Sequence, residues 1–360
     1  MPGDAPGQAD VLASAGLDGT VRLWDTTTGL ARGEPLVRSA EAVSGLAPCA
    51  AAIGDCVSLR GDGTVRIWAA ATATERAVMS GPDVTAIATL SAPGQASLLT
   101  GDSYGRVQVS DLRTGHRRCS PVQVDDRAVL ALCPLPGPSA AVRAAVAGGS
   151  GEFTIITVLP GGELQTGPVL PGWFGLIRSL CLITYPSGRT LLAAAGNQAS
   201  IWVLDLDGGR SLTPAKNPLT GHVGRIWSLA AVPPSPGRSP RLASAGADHT
   251  VRLWDPAAGR ALGRPLTGHT DQVRAVIAAS SDDGHIVLVS GGHDGTIRLW
   301  DPVTGAAGAV IPIGIPVHAL LQQRPDRPSL EGTGGGATIV VGLRTGILTL
   351  DLHRDLFLNE

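Results

Sequence analysis

Short runs of alternating apolar and polar residues follow one another along the whole chain. Three of them are VSGLA at 43–47, VTAIA at 84–88 and IWSLA at 226–230. A period of two residues is typical of β-strands, and no stretch has the period of an amphipathic helix. Asp-Gly pairs at 62–63 and 294–295 favour tight hairpins between such runs. The pattern predicts an all-β protein built from short antiparallel strands.

The strand pattern repeats about every 45 residues, and a six-residue word marks each repeat. The word is clearest as TVRLWD at 20–25 and 250–255, as TVRIWA at 64–69 and as TIRLWD at 296–301. An alternating run precedes most of these words and further short runs flank them. Four short strands in a period of this length is the plan of a propeller blade. Weaker copies of the word bring the number of repeats to eight, and they stand at 106–111, 154–159, 200–205 and 346–351.

The first and last repeats are incomplete. Repeat 1 begins at its second strand, VLASAG at 11–16, and repeat 8 has only three strands. We therefore expect a β-propeller of four-stranded antiparallel blades with eight repeat units, and seven closed blades as the alternative. In this interpretation the propeller spans residues 11–352, with a disordered N-terminal segment at 1–10 and a C-terminal tail at 353–360.

Two repeats carry a family resemblance. In repeats 6 and 7, PLTGH precedes the blade, and ADHTVRLWD or HDGTIRLWD closes its third strand. The chain resembles WD-repeat β-propellers over nearly its whole length. The resemblance implies a network in which the Trp indole N–H is held with a second-strand Ser, a His ahead of the first strand and an Asp in the turn. The matching residues are His222, Ser244, Asp248 and Trp254 in repeat 6, His269, Ser290, Asp294 and Trp300 in repeat 7, Ser14, Asp18 and Trp24 in repeat 1, and Ser58, Asp62 and Trp68 in repeat 2.

The remaining repeats depart from this pattern, and repeats 1 and 2 lack the His. Ser110, Thr157 and Leu350 stand at the Trp position of repeats 3, 4 and 8, and Trp202 of repeat 5 is shifted towards the start of its strand. We expect apolar packing to hold these blades together.

Composition and charge exclude several classes of function. The net charge is −2 and Lys216 is the only lysine, so nucleic-acid binding through phosphate contacts is disfavoured. Five cysteines without a CxxC spacing favour neither disulfides nor a zinc site. No apolar run is long enough to span a membrane, and the N-terminus lacks the features of a signal peptide. We expect a cytoplasmic protein, and the Arg- and Ala-rich composition resembles that of proteins from GC-rich bacteria.

Catalytic motifs are absent from the sequence. No HExxH, GxSxG or P-loop occurs, and a Ser–His–Asp set in repeat 6 is better read as the network of the fold. The second residue of each first strand should face the channel mouth, and this set holds no carboxylate that could bind a metal. We expect no cofactor, no metal and no enzymatic activity; a propeller hydrolase or lyase with a channel site is the alternative. The seven residues expected to face the channel mouth are Ser44, Thr85, Leu130, Arg178, Trp227, Arg274 and His318.

The same ring of residues suggests a binding surface. Arg178, Trp227 and Arg274 fall in three successive repeats, and Trp and Arg dominate the energetics of protein interfaces. His318 follows them, and Trp173 and Phe174 lie in a Gly-flanked loop ahead of repeat 5. We predict an interaction scaffold or sensor whose top face binds a protein or peptide segment of acidic character. A second alternative is the C-terminal repeat array of a larger regulatory ATPase, kinase or protease.

Overall fold

The fold consists of β-strands throughout the residues that a computed structural model of the chain describes. No helix among them has the length and apolar character needed to cross a membrane. The expected N-terminal segment 1–10 and tail 353–360 lie outside the described residues. These are 11–15, 21–25, 31–32, 43–48, 55–69, 74–80, 83–92, 95–112, 114–136, 142–170, 175–207, 211–214, 218–235, 237–281, 284–323, 337–344 and 346–352.

Each repeat forms its own antiparallel sheet, with strands in chain order from the first to the last. Repeat 1 contains β1 (Val11–Ala15), β2 (Val21–Asp25) and β3 (Ala31–Arg32). Repeat 2 contains β4 (Val43–Pro48), β5 (Asp55–Arg60), β6 (Thr64–Ala69) and β7 (Thr74–Ser80), and repeat 3 contains β8 (Val84–Ala92), β9 (Gln95–Asp102), β10 (Arg106–Asp111) and β11 (Val122–Gln123). Repeat 4 contains β12 (Val129–Leu135), β13 (Val142–Gly148), β14 (Phe153–Val158) and β15 (Leu164–Leu170).

The second half of the chain follows the same plan. In repeat 5 a fifth short strand pairs with the first two residues of the third. Repeat 5 contains β16 (Ile177–Thr184), β17 (Thr190–Gly196), β18 (Ser200–Asp207), β19 (Ser211–Pro214) and β20 (Leu219–Thr220). Repeat 6 contains β21 (Ile226–Val232), β22 (Arg241–Gly246), β23 (Val251–Asp255) and β24 (Arg260–Leu266), and repeat 7 contains β25 (Val273–Ser280), β26 (Ile286–Gly292), β27 (Thr296–Trp300) and β28 (Ala307–Pro312). Repeat 8 contains β29 (Val317–Gln323), β30 (Ala337–Leu343) and β31 (Gly346–Leu352).

Seven blades, from repeats 2 to 8, close the ring. The first strand of each blade packs against the first strand of the next, and β29 of repeat 8 packs back against β4 of repeat 2. The favoured ring of eight blades is therefore wrong, and the alternative of seven closed blades is confirmed. Repeat 1 places none of its described strands at the channel, and its strands β1 and β2 lie beside β31 instead.

The core lies between neighbouring blades, because each sheet buries both of its faces. Between repeats 6 and 7, Leu253 and Val232 pack with Val273 and Val276. Between repeats 4 and 5, which lack the Trp network, Phe153 and several alanines and leucines form an entirely apolar cluster. The expectation that apolar packing holds these blades agrees with this arrangement.

A β-bulge recurs at the same place in all seven first strands. In β16 the pairing register shifts between Ile177 and Ser179, and in β25 it shifts between Val273 and Ala275. The residue inside each bulge has no cross-strand partner, and bulges of this kind re-aim a side chain. The seven bulge residues are those that the sequence placed at the channel mouth: Ser44, Thr85, Leu130, Arg178, Trp227, Arg274 and His318.

Candidate functional site

Four residues of repeat 6 form a buried chain of hydrogen bonds. Trp254 Nε1 donates to Ser244 Oγ over 2.8 Å, and Ser244 Oγ lies 2.7 Å from His222 Nε2. His222 Nδ1 lies 2.9 Å from Asp248 Oδ1. The Val223 amide also donates to Asp248, so the carboxylate ties the loop before the blade to the turn within it.

The hydrogen bonds of the network favour one tautomer of its imidazole. The His222 Nδ1 proton is assigned to the bond with Asp248, which leaves Nε2 as an acceptor for the Ser244 hydroxyl. That hydroxyl then accepts from Trp254, so every polar atom of the chain is paired. Burial acts to raise the pKa of Asp248, but hydrogen bonds from His222 and the Val223 amide outweigh it and hold that pKa well below its ordinary value of 3.8.

Repeat 7 contains the same network. Trp300 Nε1 donates to Ser290 Oγ, and Ser290 Oγ lies 2.8 Å from His269 Nε2. His269 Nδ1 lies 2.8 Å from Asp294 Oδ2. Burial lowers the pKa of His269 below its usual 6.5 although Asp294 acts to raise it, which agrees with a neutral imidazole.

These Ser–His–Asp sets resemble a catalytic triad in their distances but not in their access. Ser244 and Ser290 are both 0 % exposed. Each hydroxyl also accepts a hydrogen bond from an indole. A triad is defined by roles as well as by geometry, and here the geometry serves to stiffen a blade.

In repeat 2 the turn Asp lies in a different environment from its counterparts in repeats 6 and 7. Ser58 is fully buried, whereas Asp62 is exposed and bonds only locally, to the amide and hydroxyl of Thr64. Asp18 lies outside the described residues, as do the side chains of Ser14, Trp24 and Trp68.

Trp227 is the centre of a cluster of arginines at the channel mouth. The guanidinium carbon of Arg274 lies 3.7 Å from the centroid of the Trp227 ring. The same distance is 5.0 Å for Arg178 and 5.8 Å for Arg225. The structure thus brings together the three residues that the sequence proposed and adds Arg225, which immediately precedes β21. We call Arg178, Arg225, Trp227 and Arg274 the Arg–Trp cluster.

The three arginines have no carboxylate partner within the described part of the chain. Arg178 Nε donates to the amide oxygen of Asn197 over 3.2 Å, and this is its one polar contact with a described side chain. Burial lowers the pKa of Arg274, and the positive charges of Arg178 and Arg225 lower it further. Three cations therefore share one small surface without neutralisation.

His318 extends this surface into repeat 8. Its ring lies 5.0 Å from that of His293, edge to face. Burial lowers the pKa of His318 to about 4, and His293, Arg274 and Arg344 lower it in the same direction. Both imidazoles are therefore neutral at pH 7, although they lie among cations.

Sequence reasoning missed three contributors to this surface, namely Arg225, His293 and Arg344. They lie in the turns that flank the first strands and the second strands, so the strand alternation contains no signal for them. Trp173 and Phe174, which the sequence proposed for the same surface, lie outside the described residues. Among the described residues no three His, Cys, Asp or Glu side chains gather as a metal site would require.

Seven blades around a channel, each with its first strand innermost, define a β-propeller. A family model described as "WD domain, G-beta repeat" matches residues 6–25, 214–255 and 261–301. The second and third of these segments contain the two complete hydrogen-bond networks. No curated protein matches the chain. With WD repeats matched in three segments and a ring of seven blades, the chain is a β-propeller that contains WD repeats.

Proposed function

We propose that the protein is a non-enzymatic interaction module and that it captures an acidic, extended protein segment on the Arg–Trp cluster. The observation that carries the proposal is the set of three guanidinium groups around the Trp227 ring without a carboxylate partner in the described chain. Arg and Trp are the residue types that contribute most to binding energy at interfaces, and a guanidinium pairs with a carboxylate through two parallel hydrogen bonds.

The position of the cluster supports this proposal. Arg178, Trp227 and Arg274 occupy consecutive bulges, so their side chains are presented at one end of the channel rather than along the blade. An extended segment that crosses this opening would meet several blades at once. The opening has no acidic side chain among its seven bulge residues, so these residues do not repel an acidic segment.

The packing of the surrounding blades also supports the proposed function. The cluster spans repeats 5 to 7, and inter-blade hydrogen bonds connect these repeats close to it. Leu229 N donates to Ser179 Oγ over 3.0 Å, and Val276 N donates to Ser228 Oγ over 3.2 Å. A preorganised surface loses less entropy when it binds a partner.

The experiment is a peptide array of 12-residue sequences in acidic, neutral and basic sets, probed with the purified protein. We expect the acidic set to bind, and we expect Trp227→Ala and Arg274→Ala to weaken that binding by at least about tenfold. Arg264→Ala is the matched control, because it removes one exposed guanidinium from the outer strand β24. Equal binding of acidic and neutral peptides would refute the proposal, and so would undiminished binding by a folded Arg274→Ala variant.

A further inference from the structure

The face of the ring at the channel mouth has an acidic side and a basic side. Two kinds of loop lie on this face, because the end of each second strand pairs with the start of its first strand, as Gly246 does with Ile226. These are the loops before the first strands and the hairpins between the second and third strands. The acidic side comprises Asp83, Asp125, Asp126 and Glu152 at repeats 3 and 4, and the basic side comprises Arg178, Arg225, Arg274 and Arg344 at repeats 5 to 8.

Few described residues on either side carry the opposite charge. On the acidic side Arg127 is exposed, and Arg106 is paired with Asp102 at 2.7 Å. On the basic side Asp271 is exposed, whereas the turn aspartates of repeats 6 and 7 are held by the histidines of the buried networks. Repeat 2 belongs to neither side, because the positive charges of two arginines act on its turn aspartate. Each side thus keeps an excess of charge of one sign.

Each side also exposes a large apolar side chain. Val223, in the loop before β21, is 76 % exposed, and Tyr104, in the hairpin between β9 and β10, is 58 % exposed. These are the two most exposed large apolar side chains of the described residues. A single exposed apolar residue is ordinary, but these two lie on one face and on sides of opposite charge. The face therefore combines complementary charge with apolar contact area.

We propose that this face binds the same face of a second copy of the chain, with the acidic side of each copy against the basic side of the other. The inference goes beyond the proposed function, because the partner is the chain itself. Complementary charges at an interface fix the orientation of the partners and suppress other arrangements. The net charge of the chain is only −2, so two copies repel each other weakly as they approach.

A ring of seven blades permits this arrangement with two-fold symmetry. Repeat 7, which belongs to the basic side, lies directly opposite the boundary between repeats 3 and 4. A two-fold axis in the plane of the face, perpendicular to that diameter, places the acidic side of one copy over the basic side of the other. Repeat 4 then faces repeats 6 and 7 of the second copy, which brings Glu152 towards Arg225 at two symmetric places.

The pairing covers the Arg–Trp cluster. A second copy and an acidic segment then compete for the same arginines, so the dimer holds the cluster closed until a segment displaces it. Self-association of this kind sets a threshold concentration of segment that the chain must meet before it binds.

The test is sedimentation velocity of the purified chain over a range of micromolar concentrations. We expect a dimer at low ionic strength, about 0.05 M salt. Because salt screens exposed charges, the dissociation constant of the dimer should rise at least about tenfold at about 0.5 M salt.

Charge reversals then assign the dimer to this face. Arg225→Glu and Glu152→Arg should each weaken dimerisation at least about tenfold, because each places like charges opposite one another at two places. An equimolar mixture of the two variants should form a dimer of one copy of each, since both of its contacts join opposite charges again. Arg264→Glu is the matched control, because this exposed arginine lies on the outer strand β24. Circular dichroism establishes that each variant is folded.

The apolar contribution has its own pair of variants. Tyr104→Ser should weaken dimerisation, because it removes an exposed ring from the face. Val310→Ser removes an exposed side chain from the outer strand β28 and should leave dimerisation unchanged.

Three results would overturn the inference: a monomer at both salt concentrations, a dimer that Arg225→Glu leaves unchanged, or a mixture of the two reversed variants that stays monomeric. If the chain is monomeric while the acidic array still depends on Arg274, the inference fails and the proposed function stands. If the chain dimerises as described while acidic and neutral peptides bind equally, the proposed function fails and the inference stands.

Discussion

Replacement of Ser244 by Ala tests whether the Trp–Ser–His–Asp chain stabilises its blade. The Ser244 hydroxyl is fully buried and connects two partners, Trp254 Nε1 at 2.8 Å and His222 Nε2 at 2.7 Å. Alanine fits the same space but offers neither an acceptor nor a donor. The indole N–H and the imidazole nitrogen then lose their partners together, in a place that solvent does not reach.

The expected cost follows from these two atoms. A buried polar group left without a partner costs about 1–3 kcal/mol, so the two together predict a loss of about 2–6 kcal/mol in the free energy of unfolding. Unfolding entropy scales with chain length, and for a chain of this size 1 kcal/mol corresponds to about 1–2 °C in Tm. Ser244→Ala should therefore lower Tm by roughly 3–9 °C.

A double-mutant cycle with Trp254→Phe separates the hydrogen bond from other effects. Phenylalanine has no N–H to orphan, so Ser244→Ala should cost about 1–2 kcal/mol less in the Trp254→Phe background than in the natural one. Urea unfolding followed by far-UV circular dichroism measures all four proteins, and equal m-values establish that the comparison is valid. A loss below about 0.5 kcal/mol for Ser244→Ala, or a coupling near zero, would refute the reasoning.

Three further predictions concern packing, pH and thiol reactivity. Gly291→Ala should destabilise the protein by about 1–3 kcal/mol in urea unfolding, because its Cβ would collide with Val317 of the next blade. Gly161→Ala has nothing within 4 Å of the new Cβ and should be nearly neutral. Similar costs for the two variants would contradict this packing. Because the pKa of His318 is about 4 in the fold and 6.5 in the unfolded chain, the stability that it contributes is complete above pH 6.5 and is lost as the pH falls towards 4. Urea midpoints measured at several pH values should therefore fall less steeply with pH for His318→Gln. An unchanged dependence of the urea midpoint on pH would count against this prediction. Burial raises the pKa of Cys133 to about 12, so this thiol should not react with a thiol reagent at pH 8 until urea unfolds the chain. Rapid labelling of Cys133 in the native protein would contradict this prediction.

The fold was largely predictable because its signals are local. Strand alternation, Asp-Gly turns and the WD word each lie within a few residues, and together they predicted the repeats and their four-stranded plan. The number of blades was not predictable in the same way. The repeat pattern indicated eight units, but closure depends on β29 meeting β4, and these strands lie at opposite ends of the ring's sequence.

The candidate site was predictable in part for the same reason. Counting from the first apolar residue of each first strand identified Arg178, Trp227 and Arg274, because the bulge falls at a constant position. Arg225 and His293 were missed because turns have no period. Their approach to the cluster depends on how neighbouring blades pack, and such contacts join residues that are distant along the chain.

The recurring bulge allows the residues around the channel opening to change without a change in the fold. The residue at this place has no cross-strand partner in the pairing register, so a different residue there leaves the hydrogen-bond ladder of its blade intact. Seven such places surround one opening, and each could diverge independently of the others. Descendants of an ancestral gene could thus acquire new ligands through a handful of codon changes, while the toroid that displays them stays the same.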